Sequence, residues 1–171
     1  MKRIFAIFVF FVIIFGTFNV IGAGLLNKDV EASTFTFAPV NEYSYDAHVR
    51  GSGVRIATDK SLSDTILVRE TNKENYTKLM ESQSPATKIY SSHRNGTQLD
   101  YPFETVKTVN ESNLYIIVEK NNANPSISIT TGLFEKDGSY YHAQIKHNYN
   151  PDSVDKDIQI IKDIYSSLKK K

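Results

Sequence analysis

The chain has 171 residues, with 20 Lys and Arg, 19 Asp and Glu, 4 His and no Cys, which is the length of one domain with room for an appendage. The lack of cysteine excludes a disulfide scaffold, a thiolate metal centre and a cysteine nucleophile. A formal net charge of +1 gives no electrostatic basis for binding nucleic acid or an anionic membrane surface.

The first segment carries the clearest signal in the sequence. Lys2 and Arg3 precede twelve uninterrupted apolar residues, 4–15, and small residues follow. A basic start, an apolar run and small residues before a cleavage point are the layout of a secretory signal peptide. The segment resembles the leaders of secreted proteins of Gram-positive bacteria, and this resemblance, which is confined to residues 1–32, implies export.

Two positions fit the small-residue rule for cleavage, one after Ala23 and one after Ala32. We favour Ala32, because the polar stretch 27–29 then lies between the apolar run and the cut. The alternative is an uncleaved membrane anchor, since residues 4–26 number 23 and about 20 apolar residues span a bilayer. In both cases the sequence predicts that residues 33–171 form one extracytoplasmic domain, secreted or anchored facing outside, which meets the membrane only through its leader.

Residues 33–171 carry mainly strand signals. The alternation over 43–50 places Tyr43, Tyr45, Ala47 and Val49 on one face of a half-buried strand. The apolar run 114–119 predicts a central strand covered on both faces. Further strands are predicted at 54–57, 65–69, 126–131 and 140–146. Short strands separated by turns favour an antiparallel β-sandwich or an open barrel.

Turn signals predict three hairpins. The turns are Asn95-Gly96 between strands 87–92 and 97–101, residues 121–125 before strand 126–131, and Asp137-Gly138 between strands 133–134 and 140–146.

A short helix is predicted over 72–81. Tyr76, Leu79 and Met80 stand at i, i+3 and i+4, and Thr71 or Asn72 caps the start.

The chain is predicted to end in an amphipathic helix over 152–169 that packs on the sheet. Its apolar face carries Val154, Ile158, Ile161, Tyr165 and Leu168, and its polar face carries Asp155, Asp157, Asp163, Lys156 and Lys162. Asn150, Asp152 or Ser153 caps its start, with Pro151 in the first turn. The lysines at 169–171 are expected to complement the negative end of the helix dipole.

The sequence contains no catalytic or metal-binding motif that we can assign. The four histidines are His48, His93, His142 and His147, and the last two are five apart, so they point to opposite faces of a strand. The acids before the last helix, Asp152, Asp155 and Asp157, are explained by favourable charge at a helix start rather than by a Ca²⁺ loop. We assign no catalytic residue, no cofactor and no metal ligand.

These observations predict a non-enzymatic binding module with a protein, cell-envelope or matrix partner. The exported part keeps all ten tyrosines, and the candidate binding surface consists of Tyr43, Tyr45, Tyr140 and Tyr141. One alternative is a secreted hydrolase with a non-local Ser/His/Asp site. The other is a membrane-active toxin or antimicrobial factor that acts through a hairpin over 126–146 after oligomerisation.

Overall fold

Strands are the main secondary structure in the part of the chain that the computed structural model describes, residues 28–46, 52–93, 102–123 and 125–171. The strands are β1 (Val30–Glu31), β2 (Phe35–Phe37), β3 (Tyr45–Asp46), β4 (Gly53–Ala57), β5 (Thr65–Thr71), β6 (Phe103–Glu111), β7 (Leu114–Asn121), β8 (Ile127–Lys136), β9 (Ser139–Asn148) and β10 (Lys169–Lys170). The helices are α1 (Lys73–Met80), α2 (Pro85–His93) and α3 (Val154–Ser167), with a 3₁₀ turn over Pro151–Ser153 before α3.

The described strands form two antiparallel sheets. The large sheet has the order β3-β4-β5-β9-β8-β7-β6, and the small sheet has the order β1-β2-β10. Strands β8 and β9 pair over their whole length across the turn Asp137-Gly138, as the sequence predicts. Both turn residues have positive φ, 52° and 72°, which is the conformation that this dipeptide tolerates in a tight hairpin. The predicted fold class, mainly antiparallel β with a short helix and a C-terminal helix packed on the sheet, is confirmed.

The main core lies between one face of the large sheet and a layer made of the small sheet and α3. Alternate residues of β5 and β9 enter it, including Ile66, Val68, Ala143 and Ile145. From the other side come the small-sheet rings of Phe35 and Phe37 and the α3 side chains Ile158, Ile161 and Ile164. The predicted docking of the C-terminal helix is therefore present.

Gly132 of β8 sets how closely α3 approaches the sheet. A Cβ atom on Gly132 would lie 2.3 Å from Cγ2 of Ile161, which is closer than real Cβ atoms approach a neighbour. Only a glycine leaves room for the helix at this distance.

The predicted strand 87–92 is wrong, because these residues belong to α2. Ser84 caps the helix by accepting a hydrogen bond from the Thr87 amide at 3.1 Å, and Pro85 occupies the first turn, where its missing N–H costs nothing. Hence no hairpin forms from this strand, and its intended partner at 97–101 lies outside the described residues.

Two strand predictions need adjustment. Strand β7 is buried on both faces as predicted, but it is the sixth strand of the large sheet, and the middle position belongs to β9. In the predicted strand 43–50, only Tyr45–Asp46 is a strand, and residues 47–50 lie outside the described part.

The predicted short helix is confirmed as α1, with Asn72 as its cap. The Asn72 side chain accepts a hydrogen bond from the Asn75 amide at 2.8 Å. Helix α3 ends earlier than predicted, at Ser167. Lys169 and Lys170 do not extend it but form β10, which pairs with β2.

None of the helices in the described ranges has the length and apolar character needed to cross a bilayer. Residues 1–27, which hold most of the predicted leader, lie outside those ranges.

We expect Gly132→Ala to lower the free energy of unfolding by about 1–3 kcal/mol, the usual cost of overpacking a core. Urea denaturation of the protein as purified from expressing cells, with its leader cleaved or retained, measures this value. In an Ile161→Ala background the same glycine substitution should cost clearly less, because the clashing methyl group is gone. An equal cost in both backgrounds would contradict the proposed contact.

Candidate functional site

The face of the large sheet that points away from α3 carries the candidate site. Because strand side chains alternate, Leu67 and Arg69 of β5 turn to this face, together with His142 and Lys146 of β9. Arg55 of β4 pairs with Leu67 and stands on the same face. Helices α1 and α2 lie over part of it.

Two cavities of about 270 and 160 Å³ lie on this face. The larger is lined by Leu67, Arg69, Thr71, Asn75, Lys78, Leu79, Lys88, Ile89 and His142. The smaller is lined by Arg55, Leu62, Thr65, Leu67, Ile89, Ile129, Gln144 and Lys146. Leu67 and Ile89 line both cavities, so the two are adjacent parts of one depression, which we name the cationic groove.

The groove is positively charged. Among the described residues, five cationic side chains line it, namely Arg55, Arg69, Lys78, Lys88 and Lys146, and no Asp or Glu of the described ranges is a lining residue. Only Lys78 has an ion-pair partner in the described part of the chain, the exposed Glu74 one helical turn away. The groove therefore carries uncompensated positive charge in a chain whose overall charge is close to zero.

Arg69 is one of three half-buried cations in the groove, with Arg55 and Lys146. Its Nε atom is buried and has no hydrogen-bond partner among the described residues. A buried donor without a partner costs free energy. Arg69 also lines the larger cavity, where a guanidinium group can offer charge-assisted hydrogen bonds to an anion.

A buried carboxyl group fixes α2 beside the groove. Glu119 of β7 is fully buried, and its Oε2 atom accepts a hydrogen bond from the Ala86 amide in the first turn of α2 at 2.9 Å. Burial raises the pKa of Glu119 above its ordinary value, more than its hydrogen bonds lower it. The contact holds the helix that carries Lys88 and Ile89 against the sheet.

On the opposite face, His147 forms an ion pair with Asp157 that the sequence did not reveal. His147 Nε2 lies 2.8 Å from Asp157 Oδ2, and both side chains are largely buried, at 12% and 4% exposure. Thr130 donates to the same carboxylate oxygen at 3.2 Å. The placement of Asp157 on the polar face of the last helix is therefore wrong, because a strand residue brings it a partner inside the protein.

The ion pair has the composition of a catalytic site but not its arrangement. His147 Nδ1 faces the Asn148 carbonyl at 2.6 Å, so both ring nitrogens face acceptors and the ring is held as an imidazolium. Ser153 Oγ donates its proton to the Asn150 carbonyl at 2.8 Å and stands 3.5 Å from the same Nε2 that binds Asp157. A triad instead needs the carboxylate on Nδ1 and a free Nε2 that accepts the hydroxyl proton.

Electrostatics around this ion pair agree with a charged histidine. The hydrogen bond to Asp157 raises the pKa of His147 above its ordinary value, and burial opposes this to a lesser extent. Burial, aided by the charge of Asp157, raises the pKa of the nearby Tyr43 to about 12, so its hydroxyl stays protonated.

The four candidate tyrosines do not share one surface. Tyr141 is fully buried in the main core, so it lies on no surface, and Tyr43 packs against that core half-buried. Tyr45 is 37% exposed on β3. Tyr140, on the other face of β9 from Tyr141, packs against Tyr76 of α1 with ring centroids 4.9 Å apart and ring planes tilted by 42°.

The remaining candidates are dispersed. His142 lies in the groove and His147 in the ion pair on the other face, as the sequence predicts. His48 and the side chain of His93 lie outside the described part. Within the described ranges no cluster of three or more His, Cys, Asp or Glu side chains is placed to hold a metal ion.

Sequence reasoning missed the groove, although a signal for it exists. Arg55, Arg69 and Lys146 each stand next to a buried apolar residue of a strand, so each must turn to the opposite face. Their common location depends on the order of β4, β5 and β9 in the sheet.

The fold resembles those of two proteins of known structure. No family model and no curated protein sequence matches the chain. The Ran-binding protein Mog1p of Saccharomyces cerevisiae superimposes with a TM-score of 0.55 at 10% identity, over 84% of this chain and 94% of that one. Cyanobacterial PsbP (CyanoP) of Synechocystis sp. PCC 6803 has a TM-score of 0.51 at 10% identity, over 84% of this chain and 92% of that one. At this identity the likeness shows the fold alone.

We expect the stability of the protein to fall as the pH rises through the raised pKa of His147. A histidine whose pKa is higher in the folded state than in the unfolded state stabilises fully below its unfolded pKa, and this contribution is lost above the folded one. Urea midpoints between about pH 5.5 and 9 measure the effect, across the ordinary histidine pKa of about 6.5.

His147→Asn should flatten this pH profile, whereas the matched control His142→Asn, on the other face of the same strand, should keep it. An unchanged profile in His147→Asn would show that the ion pair does not respond to pH.

Proposed function

We propose that the chain is a small exported binding module without catalytic activity, and that the cationic groove is its ligand site. The observation that carries this proposal is the concentration of five cationic side chains around two adjoining cavities that no carboxylate of the described part of the chain lines. Such a depression attracts anions and disfavours cations. The ligand is therefore an acidic molecule.

The chemistry of the described residues supports binding over hydrolysis. The His147, Asp157 and Ser153 side chains satisfy one another and the neighbouring carbonyl groups, and none is arranged to activate a nucleophile. Mog1p, which shares the fold, is a Ran-binding protein, so this architecture serves for binding elsewhere. The cationic groove, and not the resemblance to Mog1p, indicates the ligand class of this chain.

The membrane-active alternative is less compatible with the fold. The segment 126–146 contains most of β8 and β9, which lie inside the large sheet and are flanked by β5 and β7. Its insertion into a bilayer would require the sheet to open along two strand pairs.

The leader implies export, and the small sheet bears on where the leader ends. Val30 and Glu31 pair with β2, and Ala32 is buried in the main core, where its carbonyl accepts a hydrogen bond from Lys171 Nζ at 2.8 Å. Cleavage after Ala32 would remove β1 and this acceptor. Cleavage after Ala23 would retain both, and on this ground we prefer it to Ala32.

We expect the protein recovered outside the cytoplasmic membrane of expressing bacteria to have the intact mass of residues 24–171. Mass spectrometry of the medium and of the washed membranes measures this. The mass of residues 33–171 would contradict the assignment of the cut to Ala23, and the full-length chain in the cytoplasm would contradict export altogether.

We expect Arg69→Gln to weaken the binding of tripolyphosphate by about tenfold, the effect of losing a charge-assisted contact of about 1.4 kcal/mol. Isothermal titration calorimetry at low salt measures the affinity. The protein is used as purified from cells, whether or not its leader has been cleaved, and detergent is added if the leader is retained. Lys156→Gln removes the same charge from exposed α3 on the other side of the sheet and should leave the affinity unchanged. Equal losses in both variants would indicate attraction by overall charge and would contradict a site in the groove.

A further inference from the structure

We infer that the cationic groove takes an extended ligand with two or more phosphate groups joined by a short uncharged spacer, and that successive phosphates occupy the two cavities together. This inference rests on the proposed function, because it uses the same site. It specifies the shape and the charge spacing of the ligand.

The cations fall into two clusters, one in each cavity. The first consists of Arg69 on β5, Lys78 on α1 and Lys88 on α2, around the larger cavity. The second consists of Arg55 on β4 and Lys146 on β9, which flank the smaller cavity from the two strands beside β5. Each cluster offers donors from at least two directions, as a tetrahedral phosphate with several acceptor oxygens requires.

The strand register gives the distance between the clusters. Arg69 pairs with His142, whereas Arg55 pairs with Leu67 and Lys146 pairs with Thr65. The middle of the second cluster is therefore three residues along β5 from Arg69, an offset of about 10 Å between backbone positions at the rise of a strand. A ligand with two phosphates joined by a spacer matches this offset.

The surface between the clusters is apolar. Leu67 and Ile89 line both cavities, Leu79 closes the first, and Ile129 closes the second. A fully charged chain would place anionic groups on this surface and lose hydration there. A carbon spacer between the phosphates would instead bury apolar area against Leu67 and Ile89, which is favourable.

Hydrogen-bonding groups complete both cavities. The Asn75 side chain lines the first, and Gln144 lines the second, where its Nε2 atom donates to Thr131 Oγ1 at 3.3 Å. The polar lining of the two cavities thus includes neutral amide side chains, whose hydrogen bonds are not screened by salt as charges are.

Three probes with matched chemistry test this inference. Their affinities are measured by calorimetry on the protein as purified from cells, with its leader cleaved or retained. They are orthophosphate, hexyl monophosphate and hexamethylene bisphosphate. The last two share the same spacer and differ by the second phosphate. We expect the bisphosphate to bind at least about tenfold more tightly than hexyl monophosphate, because its second phosphate binds at a high effective concentration.

Variants of the two clusters should separate their contributions. Arg55→Gln combined with Lys146→Gln should abolish the advantage of the bisphosphate over hexyl monophosphate, which can still bind at the first cluster. Arg69→Gln should weaken both ligands. Circular dichroism and urea midpoints equal to those of the unaltered protein show that the variants fold.

The outcomes distinguish this inference from the proposed function. Equal affinities for the two hexyl compounds would overturn the two-phosphate ligand and leave the groove as an anion site. No measurable binding of any of the three probes at low salt would overturn both. A bisphosphate advantage that survives the Arg55→Gln and Lys146→Gln double substitution would also overturn the inference, since the second phosphate would then bind elsewhere.

Discussion

The close contact between Ile161 of α3 and the bare backbone of Gly132 lets the helix lie directly on one face of the large sheet. The apolar side chains of Ile66 and Val68 on β5 and of Ala143 and Ile145 on β9 point towards this face. Because strand side chains alternate, the residues between them turn to the other face. The cationic groove thus lies on the face of the large sheet that α3 does not cover.

The buried His147–Asp157 pair reinforces the same docking by a different interaction. It joins the end of β9 to the first turns of α3, and the Thr130 hydroxyl on β8 provides a further donor to the carboxylate. A buried carboxylate is tolerable only when it is paired and hydrogen-bonded, and both conditions are met here. Charge and packing therefore hold one helix on the sheet, and neither interaction involves the groove.

Local patterns are sufficient to predict the fold class, α1, the β8–β9 hairpin and the docking of the last helix, because each depends on residues close in sequence. Helix α2 escapes prediction because the Asn95-Gly96 turn signal suggests a hairpin, whereas Ser84-Pro85 and a buried carboxyl group from β7 start a helix. Asp157 is assigned to a solvated face because nothing local reveals that His147 faces it.

The cationic groove cannot be predicted from local patterns either, because it depends on which strands are neighbours in the sheet. Its five cations come from β4, β5, α1, α2 and β9, and they meet only because β9 returns to pair with β5. The alternation of each strand indicates which face a side chain takes, but not which neighbours it has there. The candidate tyrosines do not form one surface, because neighbours in a strand sequence are not neighbours on a face. Tyr140 and Tyr141 are adjacent in sequence and so belong to opposite faces of β9.

The small sheet brings the two ends of the described chain together. Strands β1 and β10 flank β2, and Glu31 and Lys169 both pair with Thr36, so these two residues are separated by only two strand spacings, about 10 Å. A few flexible residues would suffice to connect them into a closed ring, and the exposed turn at Asp137-Gly138 offers a place to open that ring elsewhere. A circularly permuted chain, joined at these ends and opened at this turn, would thus keep the same strand pairs in both sheets.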